Sequence, residues 1–193
     1  MSIASPSQRL PRIRSGAWLL SLALAGCGGG SALDNPSDIS NPAADAGQKL
    51  SFAYYQKCIN PIFLASLPIQ GTSVTNTCAA GGCHDVNTGS GGSFRINQGA
   101  TDVTIGATPD AAALRLTDMY KNFKSAQGQV VFADPSASRL INKPLVRGVL
   151  HGGGRIFLDD TDPNARLLLY WMSHPAAQGQ DEFSAAAPAS CAA

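Results

Sequence analysis

Apolar side chains recur at helical spacing between residues 50 and 67, where Phe52, Tyr55, Ile59, Ile62 and Phe63 form one stripe. The pattern predicts an N-terminal helix, kinked or divided at Pro61 because proline has no amide donor. A second strong signal lies near the end of the chain. Asp160-Thr161-Asp162-Pro163 supplies a capping carboxylate and an early proline, and Leu167, Leu168 and Trp171 then share a face. These two helices are expected to pack together as the core. Between them, Asp110 to Phe123 reads as a helix carrying Leu114, Leu116 and Met119, and Asp134-Pro135-Ser136 opens a helical turn through Leu140. Ser93-Phe94-Arg95-Ile96 and Gln129-Val130-Val131-Phe132 read as short strands or extended loop segments. There is no internal repeat. The expectation is a small, mainly α domain over 48–177, with long glycine-bearing loops and a few short extended segments.

The flanks have a different composition. Arg9, Arg12 and Arg14 precede the short apolar run Ala17 to Leu24, too brief for a permanent membrane span. Leu24-Ala25-Gly26-Cys27 resembles the bacterial lipobox, which implies a signal peptide over 1–26, cleavage before Cys27 and diacylglycerol on its sulfur. Acyl chains on Cys27 would hold the protein to a lipid bilayer without a transmembrane helix. Gly28, in place of an aspartate, resembles the outer-membrane type of sorting signal. The expected location is the cell envelope, on the outer membrane, facing the periplasm or the cell surface. Residues 27–47 are Gly, Ser, Ala, Asn, Asp and Pro with few apolar side chains, a composition that reads as a flexible tether. Residues 178–193 are Ala/Ser-rich and read as a loose tail ending near Cys191. Removing 1–26 takes three of the 14 basic residues and none of the 13 acidic ones, leaving a net charge of about −2. That near-neutral balance lacks the basic footprint of a nucleic-acid binder, so no nucleic acid is expected as a partner.

The candidate chemistry sits in Cys78-Ala79-Ala80-Gly81-Gly82-Cys83-His84. Two cysteines closed by an adjacent histidine form the pattern of covalent c-type haem attachment, in which the thiols bond the haem vinyl groups and the histidine ligates iron. The usual spacing places two residues between the cysteines, whereas four separate them here. On an α-helix, cysteines five apart diverge by ~140°, so a regular helix cannot present both to one porphyrin edge. Gly81-Gly82 permits the unusual dihedrals needed to loop out the extra residues, although a local disulfide loop would use them equally well. Of the five cysteines, Cys27 is assigned to lipid and Cys78 and Cys83 to haem, leaving Cys58 and Cys191 to pair. The alternative is two disulfides, Cys78 with Cys83 and Cys58 with Cys191, and no haem.

With His84 as the proximal ligand, the candidates for the distal position are His151, Met119, Met172 and His174. Both methionines sit in apolar helix patterns typical of core filler. His174 ends the last helix, where an imidazole interacts with the helix dipole. His151 is followed by three glycines, which let backbone approach a flat cofactor, so His151 is the expected ligand. A His/His pair gives a lower reduction potential than His/Met.

The chain also resembles the planctomycete-type cytochrome c-like domain. The resemblance rests on the order of Cys58-Ile59-Asn60-Pro61-Ile62-Phe63, Cys78 to His84, Gly91-Gly92-Ser93-Phe94-Arg95-Ile96, Asp134 to Leu140, Lys143-Pro144-Leu145, His151 to Gly154 and Leu167 to Met172. It covers about 50–175 and implies a cytochrome c-like helical fold around one covalent haem c. In that family a methionine before the final helix commonly serves as distal ligand; here that region carries His151.

No Ser/His/Asp constellation, phosphate-binding glycine loop or metalloprotease motif occurs. His151-Gly152-Gly153-Gly154 is similar to a lipase oxyanion loop, but no Gly-x-Ser-x-Gly elbow accompanies it. Asp159, Asp160 and Asp162 read as caps rather than as a Ca2+ site. The expected function is a lipid-anchored monohaem c-type cytochrome passing single electrons between redox proteins, an electron carrier rather than an enzyme. The alternatives are a haem-free, disulfide-stapled surface lipoprotein acting as a binding module, and a subunit of a redox enzyme with an open sixth site.

Overall fold

Ser51 opens the first helix, its hydroxyl accepting the Tyr54 N–H at 3.1 Å. The computed structural model describes residues 47–193. The segment expected to be a signal peptide (1–26), nearly all of the expected tether (27–47) and Cys27 lie outside the described residues. From Ser51 the chain runs as α1 (Phe52–Tyr54), a π-helical turn (Tyr55–Ile59) and α2 (Asn60–Leu64) in one continuous rod. Pro61 therefore neither ends nor splits the helix. The Asn60 N–H bonds back to Tyr55 O, five residues away, so the extra residue of the π turn is absorbed just before the ring that cannot donate.

Two short strands follow, β1 (Leu67–Pro68) and β2 (Thr75–Asn76), paired antiparallel with Leu67 opposite Asn76. The helix expected over 110–123 is two helices, α3 (Ala111–Leu116) and α4 (Asp118–Gln127). Thr117 separates them in extended backbone. Its N–H closes α3 on Leu114 O, and its hydroxyl accepts the Tyr120 N–H to open α4. A 3-10 turn (Pro135–Ala137) leads into α5 (Arg139–Leu145), and α6 (Pro163–Ser173) begins where Asp162 caps the Asn164 and Ala165 amides. Residues 93–96 and 129–132 form no strand: Ile96 alone makes a bridge, to Asp85, and 129–132 lies in turns, where the Gln129 and Val130 amides donate to Ala126 O and Gln127 O. The fold is mainly α with one small two-stranded sheet. Among the described residues, no helix is long and apolar enough to cross a membrane.

The first rod and α6 form the core. Tyr55 meets Trp171 at 5.3 Å between ring centres, and the Trp171 indole donates to Ser51 O at 3.0 Å. Phe123 from α4 stands edge-on to Phe52 at 5.4 Å. Full burial of side chains this large stabilises the fold by about 1.5–3 kcal/mol each.

Residues 178–193 do not hang loose. The Phe52 N–H donates to Glu182 O, and Phe183 is buried with its ring 5.3 Å from that of Phe52. The Glu182 carboxylate accepts from Arg115 at 2.9 Å and from the Tyr120 hydroxyl at 2.7 Å, and Cys191 is joined to Cys58 by a disulfide. Small-residue composition hides this packing because one aromatic, one carboxylate and one thiol carry it, all with partners far away in sequence.

Candidate functional site

The Cys78–His84 segment is a chain of tight turns rather than a helix. The Cys83 N–H donates to Ala80 O at 3.0 Å, and the His84 N–H reaches back to Cys78 O at 3.0 Å, which gathers both cysteines at one end of the loop. Gly82 takes the left-handed conformation at φ 80°, where a side chain would be strained. Gly81 does not; it sits close under Thr88, whose hydroxyl would lie 3.3 Å from an added Cβ. The loop is fixed to the helical rod below it by Phe63 O, which accepts the Ala79 N–H and the Thr77 hydroxyl. Ala79 is fully buried.

His84 is positioned from the core outward. Asn122 on α4 donates to Asn60 and to Asn97 O, and its side-chain oxygen accepts the Asn97 N–H at 2.7 Å. Ser125, also on α4, accepts the Arg95 N–H at 2.6 Å. Residues 95–97 are thereby held in place, and the Ile96 N–H donates to His84 O at 2.7 Å. Phe94 O accepts from His84 Nδ1 at 3.1 Å. A carbonyl can only accept, so Nδ1 carries the proton and Nε2 keeps its lone pair. Burial pushes the His84 pKa below its usual value, opposed by the Phe94 bond and assisted by nearby His151, Arg95 and Lys143. The ring is therefore held neutral, the state in which imidazole binds a metal.

His151 arrives from the other side of the chain. α5 ends at Val146 in the left-handed conformation, and Pro144 O accepts the amides of Ile156 and Phe157, closing a loop around residues 146–156. The Gly154 N–H donates to His151 O, and His151 Nδ1–H donates to Gly154 O at 2.7 Å. Nε2 is the ring nitrogen that this bond leaves free. Gly154, at φ 78°, lies so close to Ile69 that a Cβ would be 2.9 Å from Cγ2.

The two imidazoles, 67 residues apart in the chain, face one cavity of about 870 Å3. Their ring centres are 6.3 Å apart and their planes 14° from parallel. Cys78 and Cys83 line the same cavity, as do the apolar side chains of Ile69, Phe94, Pro144 and Ile156. Both thiols are free rather than joined to each other, so the local disulfide weighed from the sequence is not formed. Burial, with the nearby Cys83, pushes the Cys78 thiol up to about 11. Met119 and Met172 are buried in the core and do not line the cavity. His174 stacks on Tyr170 at 3.9 Å and bonds to Tyr170 O, also away from it. Asp159 and Asp162 accept hydrogen bonds from backbone amides as turn and helix caps, and Asp160 pairs with Arg147 at 2.5 Å.

Comparison with protein-family models, with curated proteins and with solved structures finds no match in any of the three.

The residues fit a haem group. Two imidazoles that ligate one ion from opposite sides, at the ~2 Å of a metal–imidazole bond, have centres about 6 Å apart. A backbone carbonyl on each Nδ1–H is the partner that orients metal-binding histidines and raises their basicity. Among the described residues no group of three or more His, Cys, Asp or Glu side chains is placed to hold a bare metal ion. Two axial nitrogens suit an ion whose remaining ligands come from a macrocycle, and the volume is in the range of cofactor pockets. Gly91, which the sequence singles out only as the start of the segment Gly91 to Ile96, packs against His84, and its N–H donates to Cys83 O at 2.7 Å.

Proposed function

We propose that the chain is a lipid-anchored monohaem c-type cytochrome that transfers single electrons between redox proteins in the cell envelope. The observation that carries this reading is the His84–His151 pair, with centres 6.3 Å apart, near-parallel planes and both Nδ1 protons committed to backbone carbonyls, beside Cys78 and Cys83. Haem c, when bound, supplies one-electron iron chemistry. Cys78 and Cys83 would hold it through thioether bonds, with His84 and His151 as the residues that would ligate its iron. Two histidines committed to the iron would leave no site for peroxide or oxygen, which favours electron transfer over their activation. Two imidazoles in place of a thioether would hold the reduction potential down. Ile69, Phe94, Pro144 and Ile156 supply apolar cavity wall against which a porphyrin would pack. Acyl groups on Cys27 attach the domain to the bilayer, in this reading the outer membrane, facing the periplasm or the cell surface.

The test is pyridine haemochrome spectroscopy on protein produced with a cytochrome c maturation system. Covalent haem at one per chain is expected, with loss of attachment in Cys78→Ala/Cys83→Ala. Wild-type protein without covalent haem under those conditions would sink the reading.

A further inference from the structure

The cavity wall carries two cationic side chains, Arg139 and Lys143, and no carboxylate. They are four residues apart on α5, so both fall on one side of that helix. Leu140, Ile141 and Leu145, on the other side, are buried in the core. Neither cation is in an ion pair: the pairs among the described residues are Arg115–Glu182, Lys121–Asp118 and Arg147–Asp160. Lys143 gives one of its three N–H donors to Leu150 O at 2.6 Å. The exposed Arg139 guanidinium has no hydrogen-bond partner among the described residues. The Gln129 amide, beside them on the wall, donates to Ser93 Oγ at 3.0 Å.

A cavity rimmed by two uncompensated cations favours a ligand with negative charge at that rim. From this asymmetry we infer that Arg139 and Lys143 bind the two propionate carboxylates of the haem, so that α5 fixes which edge of the porphyrin faces outward. The inference rests on the haem reading above. Arg139 offers the planar fork that matches a carboxylate in two-point contact, and Lys143 acts as a point charge. Lys143 has a second role, because its bond to Leu150 O ties the same helix to the residue before His151. Positive charge beside the haem also favours the reduced state, which carries one positive charge fewer.

The experiment uses Arg139→Gln, Lys143→Gln, the double variant and the charge-preserving Arg139→Lys in full-length, haem-loaded protein. Haem content comes from the pyridine haemochrome, midpoint potential from spectroelectrochemistry, and propionate hydrogen bonding from the propionate-bending band in resonance Raman spectra. Expected are wild-type haem content, a shifted propionate band, and a lower potential in Arg139→Gln. In the double variant the reduced-to-oxidised ratio at fixed ambient potential falls tenfold, equal to 59 mV for a one-electron couple. Arg139→Lys, which keeps the charge, retains most of the wild-type potential that Arg139→Gln loses. A double variant with wild-type haem content, potential and propionate band overturns the inference while leaving the cytochrome reading intact. Wild-type protein lacking covalent haem removes that reading, and the inference with it.

Discussion

Gly91 lies flat against the imidazole of His84: a Cβ at this position would stand 2.5 Å from Cε1, 2.6 Å from Nδ1 and 2.7 Å from Cys83 O. Two of those three neighbours belong to the ring itself, so an added methyl must push the ring or open the loop. Gly91→Ala is expected to cost about 1–3 kcal/mol in unfolding free energy, the range for overpacking. In haem-loaded protein it also alters the low-spin spectrum. Gly106→Ala, at a site with open space around it and away from the cavity, serves as the control and is expected to leave both unchanged. Equal behaviour of the two variants would mean that Gly91 does not position His84.

His151→Ala removes the second imidazole of the pair while sparing the turns around Cys78. Haem-loaded wild type is expected to be six-coordinate, low-spin and unresponsive to cyanide. The variant is expected to lose the low-spin spectrum and to bind cyanide or added imidazole. His174→Ala, which alters only a contact with Tyr170, should match wild type. An unchanged spectrum in His151→Ala would remove it as distal ligand.

The disulfide between Cys58 and Cys191 closes a loop of sequence separation 133. Long loops remove the most entropy from the unfolded chain, so Cys58→Ser/Cys191→Ser is expected to lose about 2–4 kcal/mol in denaturant unfolding. Intact mass should rise by two hydrogens on reduction of the wild type at this bond and not in the variant.

Acid should loosen the C-terminal segment first. Burial pushes the Glu182 carboxyl upward, but its bonds from Arg115, from its own backbone and from Tyr120 outweigh that and hold its pKa below the usual glutamate value. A depressed folded-state pKa gives stability that is present above the unfolded value, near 4.3, and is lost as pH falls through the folded value. The Oε2 atom is buried without a partner and is the natural place for the incoming proton. Glu182→Gln is expected to cost about 1–3 kcal/mol at pH 7. It should also flatten the stability profile below about pH 4.3. Thermal unfolding across pH 3–7 measures both, and parallel profiles for the two proteins would rule out Glu182 as the acid-sensitive group.

Local signals carried much of the helical frame. Asp162 and Pro163 start α6 as their chemistry predicts, and the Phe52–Phe63 stripe is the buried face of the first rod. The π turn was not readable, because it depends on how Pro61 is accommodated within a packed helix rather than on periodicity. Thr117 breaks the middle helix although its sequence pattern is continuous, since its hydroxyl supplies a cap that a helical-spacing reading does not register. At the site, sequence order drew attention to Cys78, Cys83, His84 and His151 one by one. Their meeting in one cavity depends on the Asn60–Asn122–Asn97 bonds and on the Pro144 turn, pairings between residues remote in sequence.

The Cys58–Cys191 bond has a consequence for how the domain withstands proteases. His84, His151 and both free cysteines all lie inside the covalent ring it closes. A protease that cuts one exposed loop between Cys58 and Cys191 opens the ring but releases no fragment. The nicked chain therefore remains one molecule until the disulfide itself is reduced.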